Sequence, residues 1–422
     1  MKYFLIILMV VNLYANEDEK LLIQAYSYGL KPAPNNLITL KNIVKIASKE
    51  KITLGKKLFF DTNLSLNRDI SCASCHDFKK GGADGIPTAI GHKNQKNPSH
   101  LNSPTVLNTA FSKHLFWNGS SHTLKDQAQG PLQATFEMSI TPKLAEERVK
   151  QNSEYNQMFL NAFGSNKITF DKITEAIGEY EKTLVTRSRY DEFLEGDLTA
   201  LNKEEKEGLK LFITKSCVGC HNGITLGGQK LRKFPLSYHP IWSMSDIQSI
   251  NELKKLYEQF LETLNEDRKY FQIKFNDDKK RYNYLISAFG TKNLKLLEKG
   301  FFNLYNKDEV YKVMTTKGCI HCHDKKTNRI NRNLLSTISF PFENKGGFLG
   351  DEKHLKHFRV PLLRNVVSTA PYFHNGSVEK IEDAIKMMGT HQARKNLTDE
   401  EIEKIVKFLK AVNGQLIDIL NK

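Results

Sequence analysis

The sequence predicts a mostly α-helical protein with long functional loops, and three observations support that class. A capping box, Thr398-Asp-Glu-Glu401, opens a segment in which Ile402, Ile405, Val406 and Leu409 share one face up to Gly414. Leu253, Leu256, Tyr257, Phe260, Leu261 and Leu264 recur at the helical period over another long stretch. No segment sustains the apolar–polar alternation of a strand, whereas glycine and proline gather in loops such as Gly81-Gly-Ala-Asp-Gly-Ile-Pro87.

Taken in chain order, Met1 to Ala15 reads as an export leader. Lys2 supplies the positive start, Phe4 to Val11 the apolar stretch, and Leu13-Tyr14-Ala15 a small residue at a cleavage site. A retained anchor is the alternative, but about ten apolar residues fall short of the roughly 20 a spanning helix needs. Lys57-Leu58-Phe59-Phe60 then leads towards a first cysteine pair, and Asn202 through Glu205 opens a helix that runs into a second. At roughly 150 residues per domain, 422 residues suggest two to three domains. With 40% apolar and 26% charged residues, disorder is excluded as the main state. The lone long apolar run is the leader, which excludes a multi-span membrane protein. Lys and Arg number 62 against 47 Asp and Glu, a net +15. Such a surface suits nucleic acid, an anionic membrane or an acidic protein partner, and charge does not choose among them.

Cysteine does. The six cysteines form three motifs: Cys72-Ala-Ser-Cys75-His76, Cys217-Val-Gly-Cys220-His221 and Cys319-Ile-His-Cys322-His323. This is the covalent haem c attachment pattern. Two thiols reach two vinyl groups on one edge of the porphyrin, and the next side chain offers its imidazole to iron. Disulfides would leave the three histidines unexplained, and one zinc needs fewer ligands than these motifs supply. An internal repeat supports the third site: Lys210-Leu-Phe-Ile-Thr-Lys-Ser216 precedes Cys217, and Lys312-Val-Met-Thr-Thr-Lys-Gly318 precedes Cys319. Each motif thus follows a short helix ending in a turn, as in a cytochrome c unit.

With these residues in view, the chain resembles the bacterial di-haem cytochrome c peroxidases. The first half matches over Leu54-Gly-Lys-Lys-Leu-Phe-Phe-Asp61, the first haem motif and Asn102-Ser-Pro-Thr-Val-Leu-Asn108. It continues through Phe116-Trp117, Gln127-Ala-Gln-Gly-Pro131 and Glu137-Met138. The second half matches over Val360-Pro-Leu-Leu-Arg-Asn365, Thr369-Ala-Pro-Tyr-Phe-His-Asn-Gly376 and Met388. Two departures stand out. Extra residues between Gly228 and Val360 carry the third motif, and the family's Trp-Asp-Gly-Arg run reads Trp117-Asn-Gly-Ser120.

The resemblance implies two cytochrome c-like haem domains, 16–190 and 191–422, the second interrupted by a helical insertion at 238–340. It implies that the haem on Cys72 and Cys75, with proximal His76, reduces hydrogen peroxide, and that His92 blocks its iron in the resting state. Glu137 and Gln127 match the distal acid–base pair, and Trp117 the aromatic residue between the haems. The haem on Cys217 and Cys220, with His221 and Met388 as axial ligands, matches the high-potential electron-transfer centre. Asn102, Thr369 and Pro371 match positions that hold a structural calcium. The third haem, on Cys319, Cys322 and His323, has Met314, His239, His354 and His357 as open candidates for its sixth ligand.

The expected setting is the periplasm, the expected donor a cytochrome c or similar small redox protein, and the expected assembly a homodimer, with no nucleic-acid partner. Two other readings stand beside the peroxidase. One is an oxidase of the methylamine-utilisation type, which acts on a protein substrate and uses tyrosine where Met388 stands. The other is a non-catalytic multi-haem electron carrier, which needs no distal acid such as Glu137.

Overall fold

The computed structural model describes residues 16–234 and 357–420, with two short strands at 323–324 and 329–330. The leader, the helix expected at Leu253–Leu264, and Cys319 and Cys322 lie outside the described residues. His323 belongs to them only as the first residue of a two-residue strand.

Helices dominate the first half. They are α1 (Glu17–Ser27), α2 (Leu37–Lys41), α3 (Lys49–Phe59), α4 (Cys72–Cys75), α5 (Leu124–Gln133), α6 (Pro142–Gln151), α7 (Ser153–Phe163) and α8 (Phe170–Glu181). The second half carries α9 (Arg189–Leu194), α10 (Lys203–Thr214), α11 (Ile381–Met388) and α12 (Asp399–Ala411). Their starts follow local chemistry. The side chains of Ser48, Thr123, Thr169, Asn202 and Thr398 each accept a backbone N–H of the first turn, satisfying donors that have no intrahelical partner. The expected capping box at Thr398 and Glu401 is present.

Both halves are built on the same helix crossing. In the first, Gly55 of α3 meets α8 so closely that an added Cβ would lie 1.8 Å from the Ala176 carbonyl oxygen. In the second, a Cβ on Gly208 of α10 would lie 2.0 Å from the Lys404 carbonyl oxygen of α12. Glycine is required at each crossing because two backbones occupy the space a side chain would need. The repeat is legible as Gly55-Lys-Lys-Leu58-Phe59 and Gly208-Leu-Lys-Leu211-Phe212. Around the first crossing Leu54, Leu58, Phe59, Ile173 and Ile177 form one core. Around the second, Leu209, Phe212, Ile213, Ile405 and Phe408 form another.

The repeat continues through the loops. Asn108 and Asn365 both adopt left-handed backbone, at φ +60° and +61°, as do Phe116 and Phe373 at +60° and +68°. Paired bridges, Leu115 with Ser121 and Tyr372 with Val378, close equivalent loops. The two asparagines meet at Thr186: Asn108 Nδ2 donates to its hydroxyl at 2.7 Å, and that hydroxyl donates to Asn365 Oδ1 at 2.8 Å. Thr186 lies in β1 (Thr186–Arg187). Short antiparallel ladders complete the described fold: β1 with β6 (Gln415–Leu416), β2 (Leu231–Lys233) with β5 (His357–Arg359), and β3 (His323–Asp324) with β4 (Arg329–Ile330). In the second ladder Lys233 pairs with His357, so the two ends bordering residues 235–356 are hydrogen-bonded neighbours.

Candidate functional site

The first cysteine pair opens a cavity of about 350 Å³. Cys72, Cys75 and His76 line it, and the short helix α4 sets the thiols one turn apart. The four described cysteines form no disulfide. His76 Nδ1 lies 3.0 Å from the Gly82 carbonyl. A carbonyl only accepts, so Nδ1 carries the proton and Nε2 keeps its lone pair, the state a metal requires. Burial lowers the ring's pKa, although bonds to the Gly82 and Pro104 backbone oppose the shift. A flat tetrapyrrole fits this donor set: two adjacent thiols, a neutral imidazole with its outer nitrogen tied down, and an open apolar volume.

The same cavity collects the expected acid–base pair. Helix α5 presents Gln127, Ala128, Pro131 and Leu132 on one face, and Glu137 follows in the turn that leaves the helix. Burial pushes the Glu137 carboxyl up to about 7, where a carboxyl can both take and return a proton near neutral pH. The loop carrying His92 is locked against this turn. His92 N–H donates to the Glu137 carbonyl at 2.8 Å, and a Cβ on Gly91 would sit 2.2 Å from the Phe136 carbonyl oxygen. The His92 ring is buried, with no hydrogen-bond partner for Nδ1, but it is not among the residues that line the cavity. The structure therefore brings Gln127 and Glu137 to the first cysteine pair, with Gly91 of the His92 loop on the same lining.

The second cysteine pair opens a cavity of about 280 Å³, lined by Cys217, Cys220, His221 and Met388. His221 repeats the first arrangement: its Nδ1 lies 3.0 Å from the Leu226 carbonyl, and burial takes its pKa down to about 4. Met388 and Met387 part company at the end of α11. Met388 lines the cavity, whereas Met387 is fully buried among Tyr372 and Val378.

One wall is common to both cavities. Trp117, Asn102, Ser103, Pro104, Thr105 and Arg359 line each of them. Trp117 is held there because its indole N–H donates to the Asn102 carbonyl at 2.8 Å. Asn102 N–H in turn donates to the His374 carbonyl at 2.7 Å, which ties the halves together. Thr369 and Pro371 also reach the second cavity. Among the described residues no three His, Cys, Asp or Glu side chains cluster as a metal site, and a calcium at Asn102, Thr369 and Pro371 would rely on backbone carbonyls and water. Of the candidates for the third haem's sixth ligand, only His357 is described, in β5.

Sequence reasoning missed three features. Glu181 lines the first cavity from the end of α8, and burial raises its carboxyl to about 8. Its only sequence signal is a place beside an apolar helix face. Asp191 and Arg364 form an ion pair with side chains 0% and 1% exposed. Burial opposes ionisation of Asp191, but Arg364 and the N–H groups of Ala33 and Ser188 hold its pKa low. Arg359 is the third.

The chain has clear relatives. A family profile described as di-haem cytochrome c peroxidase matches residues 49–199. The cytochrome c551 peroxidase of Nitrosomonas europaea is 33% identical over 366 residues, 86% of this chain and 80% of that protein. The protein of that name from Pseudomonas aeruginosa is 33% identical over 390 residues, covering 91% and 84%. A solved MauG-like protein associated with microbial copper homeostasis superposes with a TM-score of 0.57 at 20% identity, over 92% of this chain and 94% of that one. That likeness shows the fold.

Proposed function

The chain belongs to the di-haem cytochrome c peroxidase family and is an oxidoreductase of that kind, and from this premise we propose that it reduces hydrogen peroxide to water in the periplasm with electrons from a small cytochrome c. The observation that carries the reading is a buried carboxyl near neutrality, Glu137, sharing a cavity with Gln127 and a cysteine pair followed by histidine. Haem c, when bound at Cys72 and Cys75, supplies the iron at which the O–O bond is cleaved. The chain's own groups supply the rest. His76, its Nδ1 held by the Gly82 carbonyl, would hold that iron through Nε2. Glu137 accepts a proton from peroxide and returns it to the departing oxygen, so that two electrons and two protons convert H₂O₂ into two waters. Gln127 donates its amide N–H to the reacting oxygen. Trp117 lies in the wall between the two cavities and shortens the electron path across it.

A second haem c on Cys217 and Cys220, held by His221 and Met388, suits electron storage, because a thioether favours reduced iron. Met388 on that cavity wall, rather than tyrosine, supports the peroxidase over an oxidase of the methylamine-utilisation type. A pure carrier would need neither Glu137 nor Gln127. Cys319, Cys322 and His323 would hold a third haem c, which would extend the electron path towards the donor. Asn102, Thr369 and Pro371 would hold calcium through backbone carbonyls and water, and elemental analysis of dialysed protein that finds none would remove it. A homodimer is the expected assembly, which sedimentation tests. Steady-state loss of peroxide with reduced cytochrome c tests the central reading: turnover by the wild type and none without the donor is the expected result.

A further inference from the structure

Arg359 is a buried cation that the catalytic reading leaves unused and that no described carboxylate pairs. It closes β5, is 2% exposed, and lines both cavities. Its backbone N–H donates to the Trp117 carbonyl at 2.8 Å, and its guanidinium carbon lies 5.9 Å from the centroid of the Trp117 ring. Yet Nε has no hydrogen-bond partner, and among the described residues no carboxylate pairs with the guanidinium. Arg364, five residues on, shows the contrast: both its Nη groups rest on Asp191 and its Nε on the Ile224 carbonyl. Burial brings Arg359 down to about 10, which still leaves it charged at neutral pH.

A buried, unpaired charge costs several kcal/mol unless something compensates it. Glu137 and Glu181, the acids lining the first cavity, do not serve. Burial raises the pKa of both, and no cation offsets it. Peroxide is neutral. The remaining anions are the carboxylates of the haems themselves, and a planar guanidinium fork matches a carboxylate with two parallel hydrogen bonds. We propose that Arg359 binds a haem propionate at the wall shared by the two cavities and raises the potential of the haem whose propionate it holds. The proposal rests on haem attachment at Cys72/Cys75 and Cys217/Cys220. Without the guanidinium, the propionate charge would be uncompensated and would favour ferric iron.

The test uses the haem-loaded full chain as wild type, Arg359→Gln and Arg359→Lys. Pyridine haemochrome counting fixes the haem content, spectroelectrochemical titration reads each potential, and resonance Raman reads the propionate bending bands. Arg359→Gln at full haem content should lower the potential of the first haem, the second or both, and shift a propionate band. Arg359→Lys should fall between it and the wild type. The haem that shifts identifies the cavity from which the carboxylate comes. Unchanged potentials and bands in a fully loaded Arg359→Gln protein would overturn the proposal. Should that variant not accumulate, a wild-type propionate band insensitive to deuterium exchange would overturn it equally. Wild-type protein without haem c would instead bring down the haem assignment and this proposal together.

Discussion

Glu137 shows how one residue acquires a function that its type does not imply. A glutamate on a surface helix titrates near 4.5 and is ionised at neutral pH, but burial beside the first cysteine pair lifts Glu137 to about 7. The neutral carboxyl predominates below that value and cannot accept a proton. Peroxide turnover should therefore fall as pH drops through about 7, and a pH profile of kcat/KM checks this. Glu137→Gln should keep its haems and lose at least ~10²-fold in turnover, the usual scale for a lost acid–base group. Turnover equal to wild type would remove Glu137 from the mechanism. At the other cavity, Met388→His should lower the second haem's potential, since imidazole favours ferric iron more than thioether does. A redox titration without any shift would move the ligand elsewhere. Met387 is a poor substitute, because it is fully buried in a separate apolar cluster.

At the scale of elements, the protein is held by two glycine-centred helix crossings and the asparagine–threonine bridge between its halves. Gly55→Ala and Gly208→Ala each place a methyl within about 2 Å of a carbonyl oxygen of the partner helix. Helices of this length cannot yield without repacking their cores. Each substitution should cost about 1–3 kcal/mol, the typical penalty for overpacking, and thermal unfolding reads it directly. Stabilities within ~0.5 kcal/mol of wild type would mean that the crossings are looser than the backbone separation indicates. The consequence for function is positional. α3 and α10 lead the chain towards the short helical turns at Cys72 and Cys217, so a shifted crossing would displace the cysteine pairs.

For the whole molecule, charge and the placing of the third motif bear on how electrons enter. The chain's net +15 favours an acidic donor, and the third haem motif lies in the stretch that departs from the family pattern. If that haem is an entry relay, Cys319→Ala with Cys322→Ala should leave a single turnover of chemically reduced enzyme intact. Multiple turnover with a protein donor should fall, and the remaining rate should drop further as salt rises. Steady-state rates equal to wild type at every donor concentration would leave the third haem without a role in electron entry.

Spacing alone pointed to haem c at the first two cysteine motifs, because covalent attachment and iron ligation are local: Cys72, Cys75 and His76 need only their own turn. The helix at Thr398 was equally legible, since its cap and its apolar face lie within a few residues of each other. Resemblance to the family added Glu137, Gln127 and Met388 as candidates, and the tertiary structure brought each to a cavity wall with a cysteine pair. What no local pattern could reveal was the shared wall. Arg359 reaches Trp117 across more than two hundred residues, and Glu181 gains its raised pKa only from helices that close over it. Burial and long-range pairing are properties of the folded chain, and they decide which charges stay unpaired and which carboxyls hold a proton at neutral pH.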